Sequence, residues 1–97
     1  MRPLESYTER NVKRWADDHG ILNVKLTPQG QRAYPDRLFF LFGGKPMLIE
    51  FKRAGEEPTK LQSYLHGKLQ AAKYDVRWTD SADEAIGWLK EQLRGGA

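Results

Sequence analysis

Apolar and polar positions are patterned most sharply between residues 38 and 52. The run Leu38-Phe39-Phe40-Leu41-Phe42 leads into Gly43-Gly44-Lys45-Pro46, and the chain returns as Met47-Leu48-Ile49-Glu50-Phe51-Lys52. Two runs of strand length around a Gly-Gly turn predict a β-hairpin. Side chains alternate faces along a strand, so Met47, Ile49 and Phe51 share one face and Leu48, Glu50 and Lys52 share the other.

Helical spacing flanks this hairpin. Val12, Trp15, Ala16 and His19 recur with helical period between Leu4 and His19, and Gly20 suits the position after the helix end. Ile21 to Thr27 reads as a strand with Leu22, Val24 and Leu26 on one face and Lys25 on the other. Pro28 to Arg32 is a loop, broken by Pro and Gly. After a second loop, Ala54 to Pro58, Thr59 and Gln62 form a capping-box pair, followed by an apolar stripe of Leu61, Leu65, Leu69 and Ala72. Val76-Arg77-Trp78 is a short strand. Ser81 and Glu84 make a second capping-box pair before a helix that buries Ala85, Ile86, Leu89 and Leu93 and ends at Gly95-Gly96.

The order is α-β-β-β-α-β-α. A helix of crossover length joins the third and fourth strands, which makes them parallel. The expected architecture is a mixed four-stranded sheet flanked by helices, an α/β fold in one domain over residues 1–97.

Composition narrows the chemistry. The 97 residues contain no cysteine, which excludes thiol catalysis, disulfides and Cys-ligated zinc. No apolar stretch approaches the roughly 20 residues of a membrane span, and the start lacks a signal-peptide apolar region, so no membrane partner and an intracellular, cytoplasmic location are expected. Net charge is +3 and unevenly spread: residues 24–74 hold nine Lys/Arg against four acids, residues 75–92 two against five. A basic middle suits a polyanion such as nucleic acid.

Glu50 and Lys52 project together from one strand, Cα atoms roughly 6–7 Å apart. Burying both without partners costs desolvation energy, so either they pair with each other or they serve a metal ion and a phosphate. Glu9 falls near the inward stripe of the first helix, with Glu5 one turn earlier. His19 and His66 stand alone, without metal-ligand spacing. Trp15, Trp78 and Trp88 read as core or partly buried surface, while Tyr64 and Tyr74 read as packing residues, with stacking on bases the alternative.

Pro35-Asp36, thirteen intervening residues and Glu50-Phe51-Lys52, set on this element order, resemble the PD-(D/E)xK nuclease superfamily. The closer likeness is to its VRR-NUC branch, which includes small stand-alone phage and bacterial nucleases. Glu9 lying eleven residues before Gly20, Lys25-Leu26, Asp36-Arg37, Gly43-Gly44, Ile49 to Lys52 and Gln62 carry the likeness from Glu5 to about Ile86. Two positions depart from the family. Ala33 stands where a Gly often precedes the Pro, and Lys73-Tyr74 occupy a turn that often holds Gly.

The resemblance implies a restriction-endonuclease-like core and a metal-dependent DNA endonuclease. Asp36 and Glu50, with the carbonyl of Phe51, would hold Mg²⁺ or Mn²⁺, and Glu9 would reach the site directly or through water. Lys52 would orient or deprotonate the attacking water and stabilise charge on the phosphate. Gln62 would hydrogen-bond at the rim, unless its whole role is the helix cap. Lys25, Arg32, Arg37, Arg53 and Lys60 are expected phosphate contacts. Stand-alone relatives of this type act as homodimers on branched DNA such as Holliday junctions, and the same is expected here. The rival expectation is a non-catalytic nucleic-acid-binding module that keeps the fold.

A shared site makes one geometric demand. Asp36 must lie on the Glu50 and Lys52 face. An odd hairpin loop, Gly43 to Lys45 with Phe42 opposite Pro46, would place Asp36 opposite Lys52, and a bulge could serve instead.

Overall fold

A computed structural model describes residues 5–26 and 33–95. Its elements are α1 (Glu5–Asp18), β1 (Asn23–Lys25), β2 (Arg37–Phe40), β3 (Pro46–Phe51), α2 (Lys60–Ala71), β4 (Asp75–Thr79) and α3 (Ala82–Gly95). The expected order is therefore present. The sheet runs β1-β2-β3-β4, antiparallel except for the β3–β4 pair, which the α2 crossover makes parallel.

The core follows from strand alternation. Phe39, Met47, Ile49 and Phe51 pack with Val12 and Ala16 of α1 and Ala85 and Leu89 of α3. Leu48 and Glu50 therefore face the other way, toward α2. α1 ends as its sequence dictates: Gly20 takes φ +73°, and Ile21 N–H donates to Ala16 O at 2.9 Å. His19 stacks on Trp15, and its Nδ1 lies 2.8 Å from Trp15 O at the helix end.

Three local expectations shift. The first concerns β1, which is shorter than Ile21–Thr27, and the supposed buried face is open, with Leu22 75% exposed. α2 lies against β4 and, among the described residues, leaves the β1–β2 half of that sheet face uncovered. The second concerns α2, which buries Gln62 and His66 and leaves Leu61 62% exposed. The helix is turned so that donors rather than leucine meet the buried carboxylate of Glu50, because an unsatisfied buried charge costs more than an exposed leucine. The third is half a cap. Ser81 Oγ accepts from Glu84 N–H, but the Glu84 carboxylate turns to Thr79 Oγ1 instead of Ser81 N–H.

The hairpin loop is odd, as a shared site requires, but longer than expected. Phe40 pairs with Pro46, so Leu41 to Lys45 form five loop residues, with Gly43 and Gly44 both at positive φ. The register moves by two from the expected one. Extended one step beyond Arg37↔Ile49, it sets Asp36 opposite Glu50 instead of Lys52.

Candidate active site

Asp36 is fixed by its backbone before its side chain is considered. Its N–H donates to Ile49 O at 3.1 Å, and its own carbonyl accepts from Leu26 N–H at 2.8 Å. The carboxylate accepts from Phe51 N–H through Oδ2 at 2.7 Å and comes within hydrogen-bonding reach of the Glu50 carboxylate. Burial pushes the Asp36 carboxyl up to about 7; the Phe51 N–H opposes this, and the charges of Glu50 and Glu9 reinforce it. Two carboxylates this close, one buried and one half-buried, favour either a shared proton or a cation.

Glu50 is held from α2. Gln62 Nε2 donates to Glu50 Oε2 at 3.3 Å, while Gln62 Oε1 accepts from Thr59 N–H at 2.8 Å. The two roles posed as alternatives for Gln62 are thus held by one side chain. Glu50 Oε1 points at His66 Nε2, 3.6 Å away, and neither buried atom has a hydrogen-bond partner. The sequence reading leaves His66 as an isolated residue without metal-ligand spacing. Its signal is the four-residue spacing from Gln62, which puts both on one helical face.

Lys52 is 8% exposed, and among the described residues its ammonium has no ion-pair partner. Glu50 and Lys52 form no salt bridge, so the structural-pair alternative fails. Lys52 N–H donates to Thr79 O at 2.9 Å, which anchors the strand end.

Glu9 reaches toward this region from α1, on the other side of the sheet. Its carboxylate is occupied by Lys25 Nζ at 2.9 Å and Arg37 Nη2 at 3.1 Å. Arg37 is buried and also donates to Asn23 Oδ1 at 2.8 Å. Glu9 thus holds two of the cations expected at phosphates, Lys25, which stays half-exposed, and Arg37, which is buried. Arg53 and Lys60 are exposed, and Arg32 lies outside the described residues. Among the described residues no three His, Cys, Asp or Glu side chains converge on one metal position. The oxygen donors brought together are those of Asp36 and Glu50, and Phe51 lies next to Glu50 in β3.

No family model matches the chain. A solved structure described as a VRR_NUC domain superposes with a TM-score of 0.78 over 89% of this chain and 94% of its own, at 22% identity, which establishes the fold. "Putative nuclease p44" of Acyrthosiphon pisum secondary endosymbiont phage 1 is 39% identical over 64 residues, 66% of this chain and 69% of that protein. The chain belongs to the VRR-NUC nuclease family. Within this VRR-NUC chain, Lys73 occupies the turn before β4 at φ +76°, a left-handed conformation that explains why Gly is common there. Ala33, the other departure, is buried.

Proposed function

We propose that this chain is a divalent-metal-dependent endodeoxyribonuclease that acts as a homodimer on branched duplexes such as Holliday junctions. One observation carries the reading: the half-buried Asp36 and the buried Glu50 carboxylates face each other, and two residues beyond Glu50 stands Lys52, an amine without an ion-pair partner among the described residues. The donor set fits Mg²⁺ or Mn²⁺, which take hard oxygen ligands and need only one or two carboxylates when water and phosphate complete the shell. The raised Asp36 carboxyl and the orphaned Glu50 Oε1 support the same fit. Asp36, Glu50 and the carbonyl of Phe51 would hold the ion, with the charge of Glu9 behind them. When bound, such an ion polarises the scissile phosphate and lowers the pKa of its water.

The protein's own groups supply the rest. Lys52 orients the attacking water and offsets charge growing on the phosphate. Gln62 keeps the Glu50 carboxylate from rotating. Arg53 and Lys60, exposed near the ends of β3 and α2, contact the DNA backbone. Dimerisation uses the uncovered sheet face. Leu22, Val24 and Phe40 lie exposed there beside a groove of about 610 Å³ lined by Leu26, Tyr34, Leu38, Leu48, Leu69 and Tyr74. A second copy would bury this face and supply the second active site that paired strand cuts need.

The test is cleavage of duplex, flap and four-way-junction DNA with Mg²⁺ or Mn²⁺. Loss of cutting on chelation, and at least 100-fold loss in Asp36→Ala and Lys52→Ala, is expected. Variants that cut like the wild type would remove the assignment.

A further inference from the structure

The buried pair between α2 and β3 carries one inference beyond the nuclease reading. Glu50 Oε1 and His66 Nε2 point at each other 3.6 Å apart, their side chains only 3% and 8% exposed, and neither has a hydrogen-bond partner. Native interiors rarely leave two complementary polar atoms facing each other unmatched. A neutral imidazole carries its proton on either nitrogen, and the acceptor opposite selects which. Here the opposing atom is a carboxylate oxygen, which selects Nε2–H.

We infer that His66 is a positioning residue for Glu50, holding Oε1 through Nε2 as Gln62 holds Oε2. This rests on the reading of Asp36 and Glu50 as the metal-holding pair. Gln62 and His66 stand four residues apart on α2, so one turn of helix aims Gln62 Nε2 at Oε2 and His66 Nε2 at Oε1 of the same carboxylate. A carboxylate offers about four lone-pair sites. With one on each oxygen taken from the α2 side, the others are left toward Asp36. Groups that orient a ligating side chain typically change metal affinity or activity by about 10–100-fold when removed. Direct ligation by His66 is the weaker reading, because it does not group with Asp36 and Glu50 around a common metal position.

The experiment measures the dissociation constant for Mn²⁺ by paramagnetic resonance of the free ion, with thermal melts of each protein as a control for folding. The proteins are wild type, His66→Leu, His66→Asn, His66→Gln and Asp36→Asn. His66→Leu keeps the side-chain bulk without a donor, and His66→Asn is too short to reach. Both are expected to bind Mn²⁺ about 10-fold or more weakly than wild type. His66→Gln, whose amide reaches Oε1, recovers to within a few-fold, and Asp36→Asn loses binding. If His66→Leu does not fold, His66→Asn carries the comparison. Folded His66 variants that bind within twofold of wild type while Asp36→Asn fails would overturn the role of His66 and leave the metal site standing. Loss as complete as that of Asp36→Asn in all three His66 variants would make His66 a ligand and overturn the positioning role. Absence of Mn²⁺ binding by the wild type would overturn the metal reading and this inference with it.

Discussion

Gln62 joins a helix cap to the carboxylate of Glu50: its Oε1 accepts from Thr59 N–H and its Nε2 donates to Glu50 Oε2. The two bonds are coupled, because the cap fixes which way the amide points. Gln62→Ala removes both and should destabilise the protein by about 1–3 kcal/mol, seen as a lower midpoint in urea. Gln62→Glu can keep the cap but sets a carboxylate against Glu50. It should lose activity more than stability.

The pH dependence of stability tests the Asp36 environment. Its folded carboxyl sits at about 7, above the ordinary 3.8, so the folded chain binds a proton that the unfolded chain releases earlier. The sign follows: this contribution is complete below about pH 4 and is lost as pH rises through 7. Discounted for solvent screening at a partly open site, the loss is of the order of 1–2 kcal/mol. Metal-free protein should melt lower at pH 8 than at pH 5, and Asp36→Asn should flatten that difference while abolishing cleavage.

Lys52 makes the opposite trade. A nearly buried lysine without an ion-pair partner among the described residues is a cost to the fold. Lys52→Met keeps the apolar stem and removes the charge. Its metal-free form should unfold at the same temperature as wild type or a few degrees higher, with activity down at least 100-fold. A destabilised, active variant would contradict the assigned role.

Lys73 pays for its turn in backbone strain. A side chain at φ +76° costs about 1–2 kcal/mol relative to ordinary geometry. Lys73→Gly should stabilise by about 0.5–1 kcal/mol once the extra freedom of glycine in the unfolded chain is deducted. Chemical denaturation reads this directly.

Phe40 reports on assembly. It is 52% exposed on the uncovered sheet face, so Phe40→Lys leaves the monomer core intact. Sedimentation should show dimer for the wild type and monomer for the variant, with paired cuts on four-way junctions lost before single cuts.

What could be read from the chain alone divides by the range of the interaction. The hairpin, the Thr59–Gln62 cap and the core face of Met47, Ile49 and Phe51 were legible because each is set by neighbours in sequence. The exact register was not, since five loop residues and three satisfy the same alternation. Nor was the rotation of α2. Leu61, Leu65 and Leu69 make as good a stripe as Gln62 and His66, and only the buried charge across from the helix decides between them. The capture of Lys25 and Arg37 by Glu9 joins three elements and leaves no local trace.

That capture has a consequence for how the enzyme meets DNA. Two of the five cations expected at the backbone, the half-exposed Lys25 and the buried Arg37, share the single negative charge of Glu9, which leaves one net positive charge among the three. Each phosphate engaged contributes a slope of roughly −0.9 in log affinity against log salt. With contacts confined to Arg53, Lys60 and the one net charge left on the Lys25 and Arg37 pair, each protomer should show a shallow ionic-strength dependence, about −2 to −3, far below what nine basic residues in the middle of the chain imply.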